Sequence, residues 1–246
     1  MPCGSCVLLP QAAPGAPTAT DLQTQRLASI GFMVAGVCHE VSNPLAAVHS
    51  MVQFLRSGRG VTAETVEKGL DSIATNVSRV LEITRKLGDF SRTSGEALVD
   101  ASIDDAMQEA IALLRQRTAD VRVVYRGGPG AIVLARPGEL QQVFFNLLLN
   151  AAQAMQGAGT IDAGLQPSGD ERICIYVRDH GPGIPEAHLA RVFDPFFTTK
   201  SPGQGTGLGL ALCYEIVHAL DGTIQAENHP GGGACLSVWL PRRRPG

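Results

Sequence analysis

Val37-Cys38-His39-Glu40-Val41-Ser42-Asn43-Pro44-Leu45 puts an imidazole, a carboxylate and a carboxamide within about one turn of each other in an apolar-patterned stretch. Leu27, Val34, Val41, Val48 and Leu55 recur every seven residues, and Ile30, Val37, Pro44 and Met51 follow three places after each of the first four. That is the a/d pattern of a helix packed against other helices. On this register His39 falls at f, the most solvent-facing position, beside Glu40 and one turn before Asn43. Packing explains such a ring poorly. It suits a nucleophile that another module must reach.

A second polar constellation lies on the helix expected from Glu139 to Met155. Glu139, Gln142, Asn146, Asn150 and Gln153 recur at spacings of three and four, so they share one face. Val143, Phe144, Leu147, Leu148 and Ala151 cover the opposite side. A merely solvated stripe usually consists of Lys and Glu. Two asparagines one turn apart instead offer carbonyl oxygens to a metal and amides to phosphate oxygens. Mg2+ prefers such hard oxygen ligands and usually retains several waters.

Asp179-His180-Gly181-Pro182-Gly183 comes directly after the strand-like run Ile173–Val177. A carboxylate at a strand end can accept from an exocyclic amine such as that of adenine, while the glycines let the backbone approach a ligand. Gly203-Gln204-Gly205-Thr206-Gly207-Leu208-Gly209-Leu210 then opens a helix, where unpaired N–H groups form a phosphate cradle. It has neither the P-loop spacing, because no Gly-Lys-Ser/Thr follows, nor the strand that precedes a dinucleotide fingerprint. Between the two loops stands Phe193-Asp194-Pro195-Phe196-Phe197-Thr198-Thr199-Lys200. Its aromatics are either core or the anchors of a mobile lid, from which Lys200 reaches a phosphate as a point charge.

Taken in order, these motifs resemble the sensor histidine kinases of two-component signalling. His39-Glu40-x-x-Asn43-Pro44-Leu45 is similar to the H box, Asn146–Asn150 to the N box and Asp179-x-Gly181-x-Gly183 to the G1 box. Phe193–Phe197 is similar to the F box and Gly205-x-Gly207-x-Gly209 to the G2 box. The likeness spans about residues 22–243. The Asn-Pro-Leu ending and the short Thr-Thr-Lys lid resemble the nitrogen-regulation subgroup.

The resemblance implies a fold and a set of roles. The fold is an α-helical hairpin, paired as a dimeric four-helix bundle, followed by an α+β two-layer sandwich of the GHKL or Bergerat ATPase type. ATP and Mg2+ would lie between the N box and the lid, with Asn150 as metal ligand and Asn146 alongside. Asp179 would select adenine within the Gly181–Gly183 loop, and Gly205, Thr206, Gly207, Gly209 and Lys200 would hold phosphates. His39 would take the γ-phosphoryl group and pass it to an aspartate of a response-regulator receiver domain. An unperturbed imidazole, of pKa about 6.5, is mostly neutral at pH 7 and so able to attack. Glu40 would act as general base or orient the ring. Asn43 would orient water for dephosphorylating the regulator. Pro44 removes the N–H that would bond the Glu40 carbonyl, so a bend is expected just after the reactive turn, with two arrangements available as a switch.

The elements that must position these groups follow from composition and pattern. Residues 1–20 are rich in Pro, Ala and Gly and read as a flexible leader. Residues 21–93 read as the dimerisation and phosphotransfer domain: helix one from Asp21 to Leu55, a turn at Ser57–Gly60, and a second helix from Thr62. The second helix again carries heptads, Val66, Ile73, Val80 and Leu87 with Leu70, Val77 and Thr84. Each helix has more apolar seam than a hairpin buries, which predicts a homodimer. Residues 97–243 read as the catalytic ATP-binding domain. Helices are expected at 103–117, 137–155, 186–192 and 208–220, and strands at 121–125, 131–134, 160–165, 172–177, 222–227 and 234–240.

The chain of 246 residues has 44% apolar content and a net charge of −3, enough for a globular core and without the basic footprint of a nucleic-acid partner. No apolar run approaches the ~18 residues of a membrane span. Cys3-Gly4-Ser5-Cys6 has no second pair or histidine at ligand spacing, and six cysteines in a chain this long read as reduced and cytoplasmic. Cys38 reads as a buried bundle thiol. His49, His180, His188, His218 and His229 read as surface or structural residues, His180 occupying a variable motif position beside the nucleotide. Family members usually carry a sensor ahead of the bundle. Here input is expected through a separate sensor protein, or the chain lacks its sensor. The competing readings are a GHKL-type serine/threonine kinase or ATP-driven clamp, which the heptad helix bearing His39 and Glu40 opposes, and a nucleotide-binding dimeric scaffold, which the intact Asn, Asp and Gly set opposes.

Overall fold

The computed structural model describes residues 41–58, 60–91, 97–128, 130–169, 171–200 and 207–243. His39, Glu40, Cys38, Gly205, Thr206 and the leader fall outside them. The chain divides into two compact units: one holds the helical hairpin together with Pro195–Leu208, the other Ser94–Asp194 and Gly209–Gly246.

In the first unit, residues 41–57 form helix α1 and Ala63–Ser91 form helix α2. The Thr62 hydroxyl accepts the Thr65 N–H at 3.2 Å and so caps the start of α2. Gly69 is buried on α2 with Met51 Sδ and Leu55 Cδ1 crowding its Cα side, and Pro44 is buried on α1. These mark the seam between the two helices. The hairpin does not consume its apolar residues: Leu70 is 57% exposed, and Val66, Val77, Leu81, Leu45, Val52 and Phe54 are also exposed. Such a surface has a partner-sized apolar excess.

In the second unit, a two-stranded sheet pairs β1 (Val99–Ser102) with β3 (Ile132–Ala135). A five-stranded sheet has the order β2-β4-β5-β7-β6, built from β2 (Val121–Arg126), β4 (Gly159–Ser168), β5 (Arg172–Arg178), β6 (Thr223–Asn228) and β7 (Ala234–Pro241). The β2–β4 pair is parallel and the rest antiparallel. Helices α4 (Pro137–Ala154) and α6 (Gly209–Ala219) pack on the sheet, α3 (Ile103–Arg115) packs against α4, and α5 (Glu186–Leu189) is a single turn.

Local chemistry sets these boundaries. Ser102 ends β1 and caps α3, its side chain accepting the Asp105 N–H, while Asp104 and Asp105 meet the positive end of the helix. Pro137 takes the first turn of α4, where its missing N–H costs nothing, and Arg136 pairs with Glu139 at 3.1 Å. The core lies between α4 and the sheet. Phe144, Leu140, Leu147 and Leu148 on the helix, and Ile161, Ile175, Leu236 and Leu240 on the strands, are all sealed from solvent. Truncating any one to Ala should cost about 2–5 kcal/mol.

Candidate functional site

The polar stripe of α4 is laid out as its spacing requires. Val143, Phe144, Leu147, Leu148 and Ala151 are buried, whereas Glu139, Gln142, Asn146 and Asn150 are half-buried and Gln153 is exposed. Asn146 meets the first turn of α6: its Oδ1 lies 3.7 Å from where a Cβ on Gly209 would sit. The start of α6 therefore lies beside the Asn146 amide. Among the described residues no three His, Cys, Asp or Glu converge as a metal cage. Apart from Glu139, which pairs with Arg136, the oxygen donors on this face are amides, a set suited to an ion that keeps its waters and phosphate ligands.

Asp179 ends β5 and is 2% exposed. Its Oδ1 accepts from the N–H of Gly181 at 2.8 Å and of Ala234 at 3.1 Å, while among the described residues Oδ2 receives no bond. The carboxylate is thus clamped on one side and presented on the other. The clamp depends on the last hairpin. Gly233 has φ +82, and a Cβ there would collide with the Asp179 carbonyl. Gly181 sits against the Ala154 carbonyl at the end of α4, and Gly183 against the side chain of Asn228.

Asn228 is a residue that the sequence reading missed. Its Oδ1 accepts the Ile184 N–H at 2.7 Å and its Nδ2 donates to the Ile184 carbonyl at 2.6 Å, so the end of β6 holds the loop after Asp179. The available signal was an asparagine at a strand end just before the turn His229-Pro230-Gly231.

His180 points away from this carboxylate. Its Nε2 lies 2.8 Å from Asp162 Oδ2, and its N–H donates to Met155 Sδ. It also lines an open depression of about 380 Å3 with Ala154–Gln156, Gly159, Thr160 and Pro182, which includes none of Asn146, Asn150, Asp179 or Gly209. Gly181, whose N–H bonds Asp179, also lines that hollow.

In the other unit, the Phe196 N–H donates to the Gly207 carbonyl at 3.1 Å. Gly207 has φ +65, and a Cβ on it would collide with the Phe196 backbone, itself left-handed at φ +64. The F-box and G2 segments are thereby stapled together. Lys200 is half-buried and its N–H donates to Thr198 Oγ1 at 3.2 Å. Asn43 is exposed on α1. The described residues thus bring together Asn146 with Gly209, Asp179 with Gly181 and Gly183, and Gly207 with Phe196.

A strand-ended carboxylate, a helix bearing paired asparagines and a glycine-opened helix over a mixed sheet define the histidine-kinase type of ATPase fold. Residues 135–244 match the family described as "Histidine kinase-, DNA gyrase B-, and HSP90-like ATPase", and residues 29–96 match the "His Kinase A (phospho-acceptor) domain". The chain belongs to the sensor histidine kinases of two-component signalling, of which it carries the transmitter core. It is 33% identical over 223 residues to the signal transduction histidine-protein kinase AtoS of Escherichia coli, covering 89% of this chain and 36% of AtoS. To the sensor histidine kinase ZraS of Klebsiella oxytoca it is 30% identical over 220 residues, covering 88% of this chain and 47% of ZraS. It therefore spans between a third and a half of these relatives. Among solved structures, the catalytic domain of histidine kinase ThkA matches with TM-score 0.54 at 27% identity, over 60% of this chain and 97% of that one. ThkA in complex with the response regulator TrrA matches in fold with TM-score 0.70 at 24% identity, over 90% of this chain and 64% of that one.

Proposed function

We propose that this chain is the core of an ATP-dependent, autophosphorylating protein-histidine kinase, with residues 21–93 as dimerisation and phosphotransfer domain, 97–243 as catalytic domain and 1–20 as leader. The carrying observation is Asp179: a buried carboxylate fixed through Oδ1 by two backbone N–H groups, with Oδ2 left for an amine of the ligand. That arrangement fits recognition of the adenine amino group.

The remaining roles follow the same chemistry. Asn150, with Asn146 beside it, would hold Mg2+ through amide oxygens, and Mg2+ when bound supplies charge neutralisation along the phosphates. Gly181 and Gly183 bring backbone close to the base; Gly205, Thr206, Gly207 and Gly209 offer N–H groups to the phosphates, and Lys200 a positive charge. A neutral nitrogen of His39 attacks the γ-phosphorus. The N–P bond forms as the bond to the bridging oxygen breaks, and ADP leaves. Glu40 takes the ring proton or orients the imidazole. The phosphoryl group then passes to an aspartate carboxylate of a response-regulator receiver domain, and Asn43 orients the water that later hydrolyses it.

The exposed apolar residues of α2, Leu70 above all, support a homodimer. The buried thiols of Cys174, Cys213 and Cys235 fit a reducing, cytoplasmic setting. Among the described residues no helix is long and apolar enough to cross a membrane. The test is chemical: the full chain incubated with γ-labelled ATP should acquire label that survives alkali, is lost in acid and moves to a receiver domain. Acid-stable label, as on serine or threonine, would overturn the reading.

A further inference from the structure

We propose that Asn228 is a positioning residue for adenine recognition: with its cross-strand neighbour Ala234 it holds the two ends of the loop that presents Asp179. This rests on the reading of Asp179 as the partner of the adenine amine. Asn228 ends β6 and stands opposite Ala234 in the register with β7. Ala234 fastens the first end of the loop. Its N–H donates to Asp179 Oδ1 at 3.1 Å, and its carbonyl accepts the Asp179 N–H at 2.9 Å. Asn228 fastens the second end, with Oδ1 accepting the Ile184 N–H at 2.7 Å and Nδ2 donating to the Ile184 carbonyl at 2.6 Å. Between the two lie His180-Gly181-Pro182-Gly183, which form neither helix nor strand.

The residue type matters here. Only one orientation of a carboxamide sets its oxygen toward an N–H and its NH2 toward a carbonyl of the same residue, so the two bonds fix the amide as they fix the loop. Gly183 makes the approach possible: it has φ +80, and a Cβ on it would lie 2.8 Å from Asn228 Oδ1. Asn228 is exposed and stands outside the core, so its loss should loosen the loop rather than the sheet. A loosened Ile184 end frees Gly181, whose N–H is one of the two that hold Asp179 Oδ1. The carboxylate can then turn, and the oxygen left for the amine is no longer fixed.

The test compares equilibrium binding of Mg-ATP and Mg-ITP to the full chain, with the melting temperature recorded for each variant. Inosine triphosphate carries a carbonyl oxygen in place of the adenine amine, so the parent should prefer ATP by about tenfold or more. Asn228→Ala should cut that preference about threefold or more, chiefly by weakening ATP. Asn228→Asp keeps the shape and the acceptor but sets a carboxylate oxygen against the Ile184 carbonyl, and should cut the preference in the same direction. Gln225→Ala, exposed on the same strand, should leave it unchanged. An ATP preference kept by both Asn228 variants, equal weakening of the two nucleotides, or an equal loss in Gln225→Ala would each overturn the proposal. If the parent itself binds the two nucleotides alike, it is the adenine reading of Asp179 that fails, and the positioning role falls with it.

Discussion

Asp179 Oδ1 accepts the backbone N–H of Ala234, 55 positions further along the chain, and so fastens the end of β5 to the start of β7 at the candidate adenine site. The same oxygen takes the Gly181 N–H. Structure and recognition are thus divided between two oxygens of one carboxylate. Asp179→Asn keeps an acceptor at the Oδ1 position but loses the charge and replaces the presented oxygen by a donor. It should weaken ATP binding about 10- to 100-fold, the worth of a charge-assisted hydrogen bond, with little change in melting temperature. Asp179→Ala also orphans the buried Ala234 N–H and the part-buried Gly181 N–H and should lose about 1–3 kcal/mol of stability besides. Calorimetric titration with thermal melts separates the two effects.

Neighbouring glycines give a sharper contrast. Gly232 and Gly233 both have positive φ, at +88 and +82, but a Cβ on Gly232 meets nothing within 4 Å while one on Gly233 strikes the Asp179 carbonyl. Gly232→Ala should cost about 1–2 kcal/mol of backbone strain. Gly233→Ala should cost clearly more and also weaken ATP binding, because the clamp on Asp179 moves. Urea unfolding of the two variants side by side checks this.

The hairpin's exposed seam predicts its own rescue by pairing. Leu70→Lys places a charge where a second copy should bury a side chain worth about 1.5–3 kcal/mol. With two copies per symmetric interface, the dimer dissociation constant should rise more than about a hundredfold. Leu113→Lys, equally non-conservative but on exposed α3 of the other unit, should leave the sedimented mass unchanged.

Acid should loosen the sheet at Asp162, on the inner strand β4. Burial opposes ionisation there, but the hydrogen bond with His180 and the Arg126 and Arg178 guanidiniums outweigh it and hold the carboxyl below its ordinary range. A folded-state pKa below the unfolded value of about 3.9 gives stability that is complete above that value and lost as pH falls through the folded pKa. The stability gap between the parent and Asp162→Asn should therefore be constant near neutrality and close toward about pH 2. A gap that widens in acid would contradict the assignment.

Much of the catalytic unit was legible because its signals are local. Pro137 marks the start of α4, and the three-and-four spacing of its asparagines fixes their shared face. What escaped depends on partners distant in sequence. Strand β1 is four residues long, and only its pairing with β3 identifies it. Strand β4 runs past Leu165 to Ser168, through Pro167, because β2 ends opposite Gly164 and leaves the last residues of β4 on an open edge, where a missing N–H costs nothing. Asn228 looked like an ordinary turn residue until the loop it holds, 44 positions earlier, was folded onto it. Helix ends moved by one to three residues for the usual capping reasons, as at α3, which stops at Arg115 with Gln116 as its cap.

The central claim is that His39 carries the phosphoryl group donated by ATP at the Asp179 site. Parent and His39→Gln chains, matched for ATP affinity and dimer mass, should be incubated with γ-labelled ATP and compared for alkali-stable label. The account predicts labelled parent and unlabelled His39→Gln; equal labelling of the two would contradict it.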